Sequence, residues 1–300
     1  ASKAAAMARK TYQHYVRTSK FSWCLIKAPT KAWASKVYAD LPEEDRVDAM
    51  WDAIYRMNRI YDEDPVASWK AHLEQLRLIR KFLNEKRYSA LHYRRPGTDL
   101  RVELPEGHIW LGGDKDNGSG MRFVANMPTE EVFTMPKRTG VNGTVTCTKP
   151  LNVNGAIVDE FSFTFENGKV VRYDAKVGIE HLDHLLAMDE GSRYLGEVAL
   201  VPHRSPISNM DRIFYNTGID ENASCHLALG SCYPTNLENG TKLSDEELLQ
   251  RGGNTSLIHV DFMMGASDLD IDGILEDGRS EPLFRQGNWA VSFEPQTNKN

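Results

Sequence analysis

Four short segments between Asn126 and Gly265 gather residues that bind metals or move protons, each among apolar neighbours. The first is Asn126-Met127-Pro128-Thr129-Glu130-Glu131-Val132-Phe133-Thr134-Met135-Pro136, where two adjacent carboxylates lie between prolines. On a strand, neighbouring side chains point to opposite faces, so one of these carboxylates enters the core. A carboxylate buried there is costly unless it is paired or metal-bound. The second segment is Leu195-Gly196-Glu197-Val198-Ala199-Leu200-Val201-Pro202, in which Glu197 leads an apolar strand. The third runs from Asp220 through Glu221, Asn222, Ala223, Ser224, Cys225 and His226 to Leu227-Ala228-Leu229-Gly230, with Tyr233 shortly after. It reads as a helix, which sets Glu221 and His226 five residues apart, one more than the i, i+4 spacing that shares a face. The fourth is Asn254 to Gly265, where His259 and Asp261 are two residues apart. On a strand both project to the same face.

Taken singly, each segment has an ordinary reading: an exposed loop pair, a strand-end charge reaching solvent, a hydrogen-bonded core histidine, a structural His–Asp contact. Together, two histidines and at least three carboxylates in apolar elements suit divalent ions of hard to borderline character. So few histidines among so many carboxylates favours two ions over one, because bridging carboxylates hold such ions about 3.5–4 Å apart. The cysteines, Cys24, Cys147, Cys225 and Cys232, form no C-x-x-C pair. They are not arranged for a structural zinc or a disulfide framework, and a reducing, cytoplasmic location is the simpler reading. Asp268-Leu269-Asp270-Ile271-Asp272-Gly273 imitates the start of an EF-hand loop. Its twelfth position is Arg279, where a bidentate Glu is required, so it reads as a polar-alternating strand leading into a turn.

The elements that must position these residues fall into two textures. Residues 1–95 read as helical. Pro42-Glu43-Glu44-Asp45 starts one helix, and Asp64-Pro65 starts another that carries Trp69, Leu73, Leu76, Ile79 and Leu83 on one stripe to about Tyr88. Residues 96–300 read as mainly β. Ile157 to Phe165, the Glu166-Asn167-Gly168-Lys169 turn and Val170 to Tyr173 spell a hairpin. Helices are expected at Glu180 to Asp189 and at Ser244 to Arg251, the latter with a Ser244/Glu247 capping box. The expected fold class is α+β: a helical N-terminal portion and a mainly antiparallel β portion, working as one catalytic unit.

Composition bounds the partners. The 300 residues are 41% hydrophobic and 26% charged with net charge −6, an ordinary globular balance without the dominant basic stripe that a phosphate backbone attracts. The densest basic stretch, Arg77 to Arg95, is interleaved with apolar residues and reads as the solvent face of a helix. No run of about 18 apolar residues is present to span a membrane. The expectation is no nucleic-acid and no membrane partner.

The motif segments, in this order, resemble the thermophilic-type metal-dependent aminopeptidases of peptidase family M29. Besides the four segments, the likeness includes Thr148-Lys149-Pro150-Leu151, Ser205-Pro206-Ile207-Ser208, Ala28-Pro29-Thr30, Trp33-Ala34 and Pro96-Gly97-Thr98-Asp99-Leu100, and it runs from about Phe21 to Ala290. The resemblance implies metal ligands at Glu131, Glu197, His226, His259 and Asp261, with Glu221 as a further one, and a catalytic tyrosine at Tyr233. It implies two divalent ions, zinc first, with cobalt, manganese or magnesium as alternatives. It also implies peptide substrates with a free N-terminus and a homodimer. Glu130 is the expected general base, turned into the site by a bend at Pro128 or Pro136. Members usually begin with an additional α/β domain, so the chain reads as the catalytic remainder of a longer protein. The alternatives are a catalytically impaired metal-binding fragment and another two-metal hydrolase such as a phosphatase, which the lack of Arg and Lys in the four segments argues against.

Overall fold

The structure is a computed structural model that describes residues 10–153 and 155–293. Its fold is α+β, as expected. The Asp64 carboxylate accepts the backbone N–H groups of Val66 and Ala67, both at 3.0 Å. With Pro65 in the first turn, this cap starts the helix Pro65–Lys86 where the sequence places it. Leu76, Ile79 and Leu83 form its buried stripe. Two shorter helices, Lys31–Val37 and Arg46–Met57, build a small core of their own with Ile207, Phe214, Ile219 and Ala223. The indole N–H of Trp33 donates to the Phe214 carbonyl at 2.6 Å and ties the two regions together.

Strands form a nine-stranded antiparallel sheet, a four-stranded antiparallel sheet and a two-stranded ribbon. The large sheet contains the predicted hairpin, Ala156–Glu166 with Lys169–Val177. Asn167 and Gly168, both with positive φ, make its turn. The strand Ala90–Arg95, placed by sequence with the helical portion, lies in the middle of this sheet between Thr98–Glu103 and Asp270–Ile274. Its basic residues hid it. Arg94 pairs with Asp272, and Arg95 with Asp268 at 2.9 Å. Those acidic residues belong to the segment that imitates an EF-hand, part of which is the expected strand, Asp270–Ile274.

The small sheet has the order His259–Met263, His226–Gly230, Leu195–Leu200, Val132–Thr134. One face packs on the large sheet, with the Phe262 ring 5.1 Å from Phe163 and 6.4 Å from Phe161. The helix expected across Glu221 to Leu229 is not there. A single 3-10 turn, Glu221–Ala223, leads into the strand His226–Gly230. The sequence Leu-Ala-Leu is neutral between helix and strand, and cross-strand pairing on both sides decides for the strand.

Candidate metal centre

Register on the small sheet assembles the site. Ala228 lies opposite both Glu197 and Asp261, His226 lies opposite Ala199, and Gly230 lies opposite His259. Side chains alternate along a strand, so Glu197, His226, His259 and Asp261 share one face. Phe133 pairs with Ala199, which puts Phe133, and Glu131 two residues before it, on that face too. Ala199, Ala228 and Gly230 stand between the ligand-type residues and leave the face open. Gly230 has φ of +105°, and a Cβ there would meet the Ile258 carbonyl oxygen at 2.2 Å. The opposite face supplies Val198, Leu200, Leu227, Leu229 and Phe262 to the main core.

The geometry divides into two groups that share Glu197. Glu131, Glu197 and His226 form one, and Glu197, His259 and Asp261 the other. His226 Nε2 is 3.0 Å from Glu131 Oε2 and 3.6 Å from Glu197 Oε1. His259 Nε2 is 3.7 Å from Glu197 Oε2 and 3.4 Å from Asp261 Oδ1. Glu197 thus turns one oxygen to each imidazole. Both rings are fixed from behind: His226 Nδ1 is 3.1 Å from the Ser224 carbonyl and His259 Nδ1 is 2.7 Å from that of Ser231. A carbonyl only accepts, so each Nδ1 carries a proton, which leaves each Nε2, on the carboxylate side, as the nitrogen that a metal ion would use.

That arrangement demands positive charge. Glu131 and Glu197 are buried, and among the described residues Glu131 Oε2 has no aligned hydrogen-bond donor, only His226 Nε2 at 3.0 Å. Without a cation, protons take its place. Burial, then the Asp261 and Glu131 charges, push the Glu221 carboxyl well above the usual range. Burial also raises Glu197, against the hydrogen bond from His226. Burial alone would lower His259, but Asp261 and Glu197 outweigh it and bring it up to about 9. The same opposition, with Glu131 and Glu197 prevailing over burial, lifts His226 well above its ordinary value. Asp261 is held low, because His259 and His226 outweigh its burial. Oxygen and imidazole donors of this kind fit borderline to hard divalent ions.

The open face lines a cavity of about 90 Å³ that Glu221 and Tyr233 also reach. The Tyr233 ring lies against His259, with centroids 5.1 Å apart. Five of the predicted ligands therefore converge, and Glu221 and Tyr233 border the same space.

Glu130 does not join them. Its carboxylate is gripped by Arg59, Nη1–Oε1 2.7 Å and Nη2–Oε2 3.0 Å, with His72 Nε2 at 3.6 Å. Glu130 and Glu131, which directly precede the strand Val132–Thr134, do point apart, and no bend at Pro128 or Pro136 turns Glu130 into the cavity. Sequence reasoning overlooked Arg59 and His72, which sit in the helical portion. It also overlooked Lys115, whose signal was the alternation Asp114-Lys115-Asp116. Lys115 lines the cavity, and its burial lowers its pKa against the pull of Glu131 and Glu197.

Comparison with known proteins places the chain in a family of metalloproteases. The family model described as thermophilic metalloprotease (M29) matches residues 1–289. Aminopeptidase 2 of Geobacillus stearothermophilus is 54% identical over 293 residues, which cover 98% of this chain and 71% of that protein. Aminopeptidase T of Thermus aquaticus is 46% identical over 90% of this chain and 66% of its own length. The solved structure of wild-type AmpT from Thermus thermophilus superposes with a TM-score of 0.88 at 42% identity, covering 95% of this chain and 69% of that one. The chain belongs to the M29 family of thermophilic metalloproteases, whose similar curated members carry the name aminopeptidase.

Proposed function

We propose that this chain is a metalloaminopeptidase that removes the N-terminal residue of peptides by a co-catalytic two-metal mechanism. One observation carries the reading: Glu197 offers one carboxylate oxygen to each of two histidine-containing groups. A single carboxylate shared in this way is how two ions are held side by side. Glu131 and His226 complete the first set of ligands, and His259 and Asp261 the second. Glu221, on the rim of the same cavity, is the further ligand.

When bound, a pair of divalent ions activates water and polarises the scissile carbonyl. The chain's own residues do the rest. The Ser224 and Ser231 carbonyls hold the two imidazoles in the tautomer that ligates. The carboxylates give the cavity the negative charge that suits a free α-amine, which restricts cleavage to the N-terminus. Tyr233 stands beside His259 as a donor to the oxygen that gains charge. Glu130, clamped by Arg59, is a positioning residue in this reading and not the base.

Residues 1–95 and 96–300 act as one catalytic unit in this reading. Trp33 supports Phe214, and Arg59 and His72 contact Glu130 and Thr129. Zinc as the native metal, a homodimer and a cytoplasmic location complete the proposal. The resemblance noted in the sequence implies zinc and the homodimer, the free cysteines point to a reducing compartment, and elemental analysis, light scattering and cell fractionation test the three.

Hydrolysis of Leu-p-nitroanilide before and after EDTA, then with zinc or cobalt restored, tests the activity. Chelator-sensitive and metal-restored release of nitroaniline is expected. A chain that binds no metal and releases none would overturn the reading.

A further inference from the structure

Lys115 sits on the strand Asp114–Asp116 of the two-stranded ribbon, directly across from Phe123. Its neighbours on that strand engage arginines. Asp114 contacts Arg80 at 3.2 Å and Arg122 at 3.4 Å, and Asp116 contacts Arg122 at 3.6 Å. Side-chain alternation turns Lys115 away from these arginines, and it lines, along with Asp114 beside it, the cavity that holds Glu131, Glu197 and His259. There its ammonium lies 5.1 Å from the Trp23 ring centroid and 5.5 Å from that of Phe123. Ring faces hold a cation in place without using its N–H donors. No carboxylate among the described residues closes on Lys115 as an ion pair.

We infer that Lys115 is a catalytic residue that donates a hydrogen bond to the scissile carbonyl oxygen of the peptide as that oxygen gains negative charge. The inference rests on the aminopeptidase reading of the same cavity. Like charges decide which end of the substrate Lys115 meets. A cationic α-amine is repelled by an ammonium, so the amine belongs on the carboxylate side and the carbonyl oxygen on the lysine side. A donor already fixed by two aromatic rings needs little rearrangement as charge develops, which is the condition for stabilising a transition state over a ground state. No covalent bond to Lys115 forms or breaks.

The test compares wild type, Lys115→Met and Lys115→Arg on Leu-p-nitroanilide, with metal content measured for each. Met keeps a long apolar stem between the rings and removes the charge. Loss of one such donor lowers kcat by on the order of 100-fold while KM stays within about threefold, and Arg restores part of the loss. A readout independent of turnover is calorimetric binding of the phosphonate analogue of leucine, a tetrahedral anion, against leucine itself. The phosphonate weakens by on the order of 100-fold in Lys115→Met, and leucine changes by less than about threefold. Should Lys115→Met fail to fold, Lys115→Gln is judged by the same criteria. A kcat near wild type, a change confined to KM, or lost metal as the source of the defect would each overturn the role of Lys115. A wild-type chain that never cleaves the substrate would overturn the aminopeptidase reading instead, so the two failures are distinguishable.

Discussion

Arg59 grips Glu130 with two guanidinium nitrogens, Nη1–Oε1 at 2.7 Å and Nη2–Oε2 at 3.0 Å. Arg59 follows the helix Arg46–Met57 and holds a left-handed φ of 59°, an uncommon conformation for a non-glycine residue. Glu130 adjoins the ligand-type Glu131, and its backbone N–H donates to Asn222 at 2.7 Å. The pair thus fixes the direction of Glu131 from outside the cavity. Glu130→Gln leaves a buried guanidinium without its counter-charge and is expected to destabilise the fold by about 2–4 kcal/mol. It is also expected to weaken metal binding by about 10–100-fold, as loss of an outer partner does. At saturating metal, turnover stays within about tenfold of wild type. Urea unfolding, a metal titration and kcat at high metal check the three parts, and a loss of kcat beyond that range would return Glu130 to the role of base.

Glu197→Gln removes the carboxylate that both histidine groups share. Elemental analysis of wild type is expected to give two ions per chain, and of the variant one or none. Turnover should fall by at least about 1,000-fold, because neither charge stabilisation nor water activation survives without the paired ions. A variant that retains two ions would refute the bridging role.

The metal-free protein should lose stability as pH rises from about 6.5 to 9. His259 has an ordinary pKa near 6.5 and is lifted to about 9 in the fold. A raised histidine contributes stability that is full below its unfolded pKa and disappears as pH climbs through its folded one. His226 shifts in the same direction. The raised Glu197 and Glu221 carboxyls shift stability in the same direction, a loss that begins lower, as pH climbs out of the ordinary carboxylate range. The loss is on the order of 2 kcal/mol. Thermal melts with EDTA across this range should show the fall, metal-loaded protein should show much less, and His259→Gln should flatten the EDTA curve. A flat curve for chelated wild type would contradict the assignment.

Phe262 is fully buried between the sheets, beneath the face that carries His259 and Asp261. Phe262→Ala is expected to cost about 3–5 kcal/mol through the cavity it leaves. Denaturant midpoints measure this. A shift below about 1 kcal/mol would mean that the core collapses into the space.

Ser244 caps its helix with the reciprocal bonds to Glu247, at 3.2 Å and 2.7 Å. Ser244→Ala should lower stability by about 1 kcal/mol and leave metal binding unchanged, which makes it a control for variants closer to the cavity. Altered metal stoichiometry in this variant would show that the helix supports the site.

Local chemistry makes much of this protein legible in its amino-acid sequence. Asp64-Pro65 and Ser244 with Glu247 announce helix starts because side-chain oxygens satisfy the first free N–H groups there, a contact within one turn. His259 and Asp261 fall on one face because strand periodicity is a property of the segment itself. Glu131, Glu197 and His226 stand out because ligand-type residues in apolar runs are expensive to bury. Three features lie beyond the reach of local chemistry. His226–Gly230 is a strand because the neighbouring strands complete its hydrogen bonds, and Leu-Ala-Leu carries no preference that a local reading can detect. The opening at the site depends on Ala228 falling opposite both Glu197 and Asp261, which is register between strands distant in sequence. Glu130 and Glu131 are adjacent and chemically identical. Only the arrival of Arg59, 71 residues away in sequence, gives one of them a counter-charge and leaves the other for the cluster.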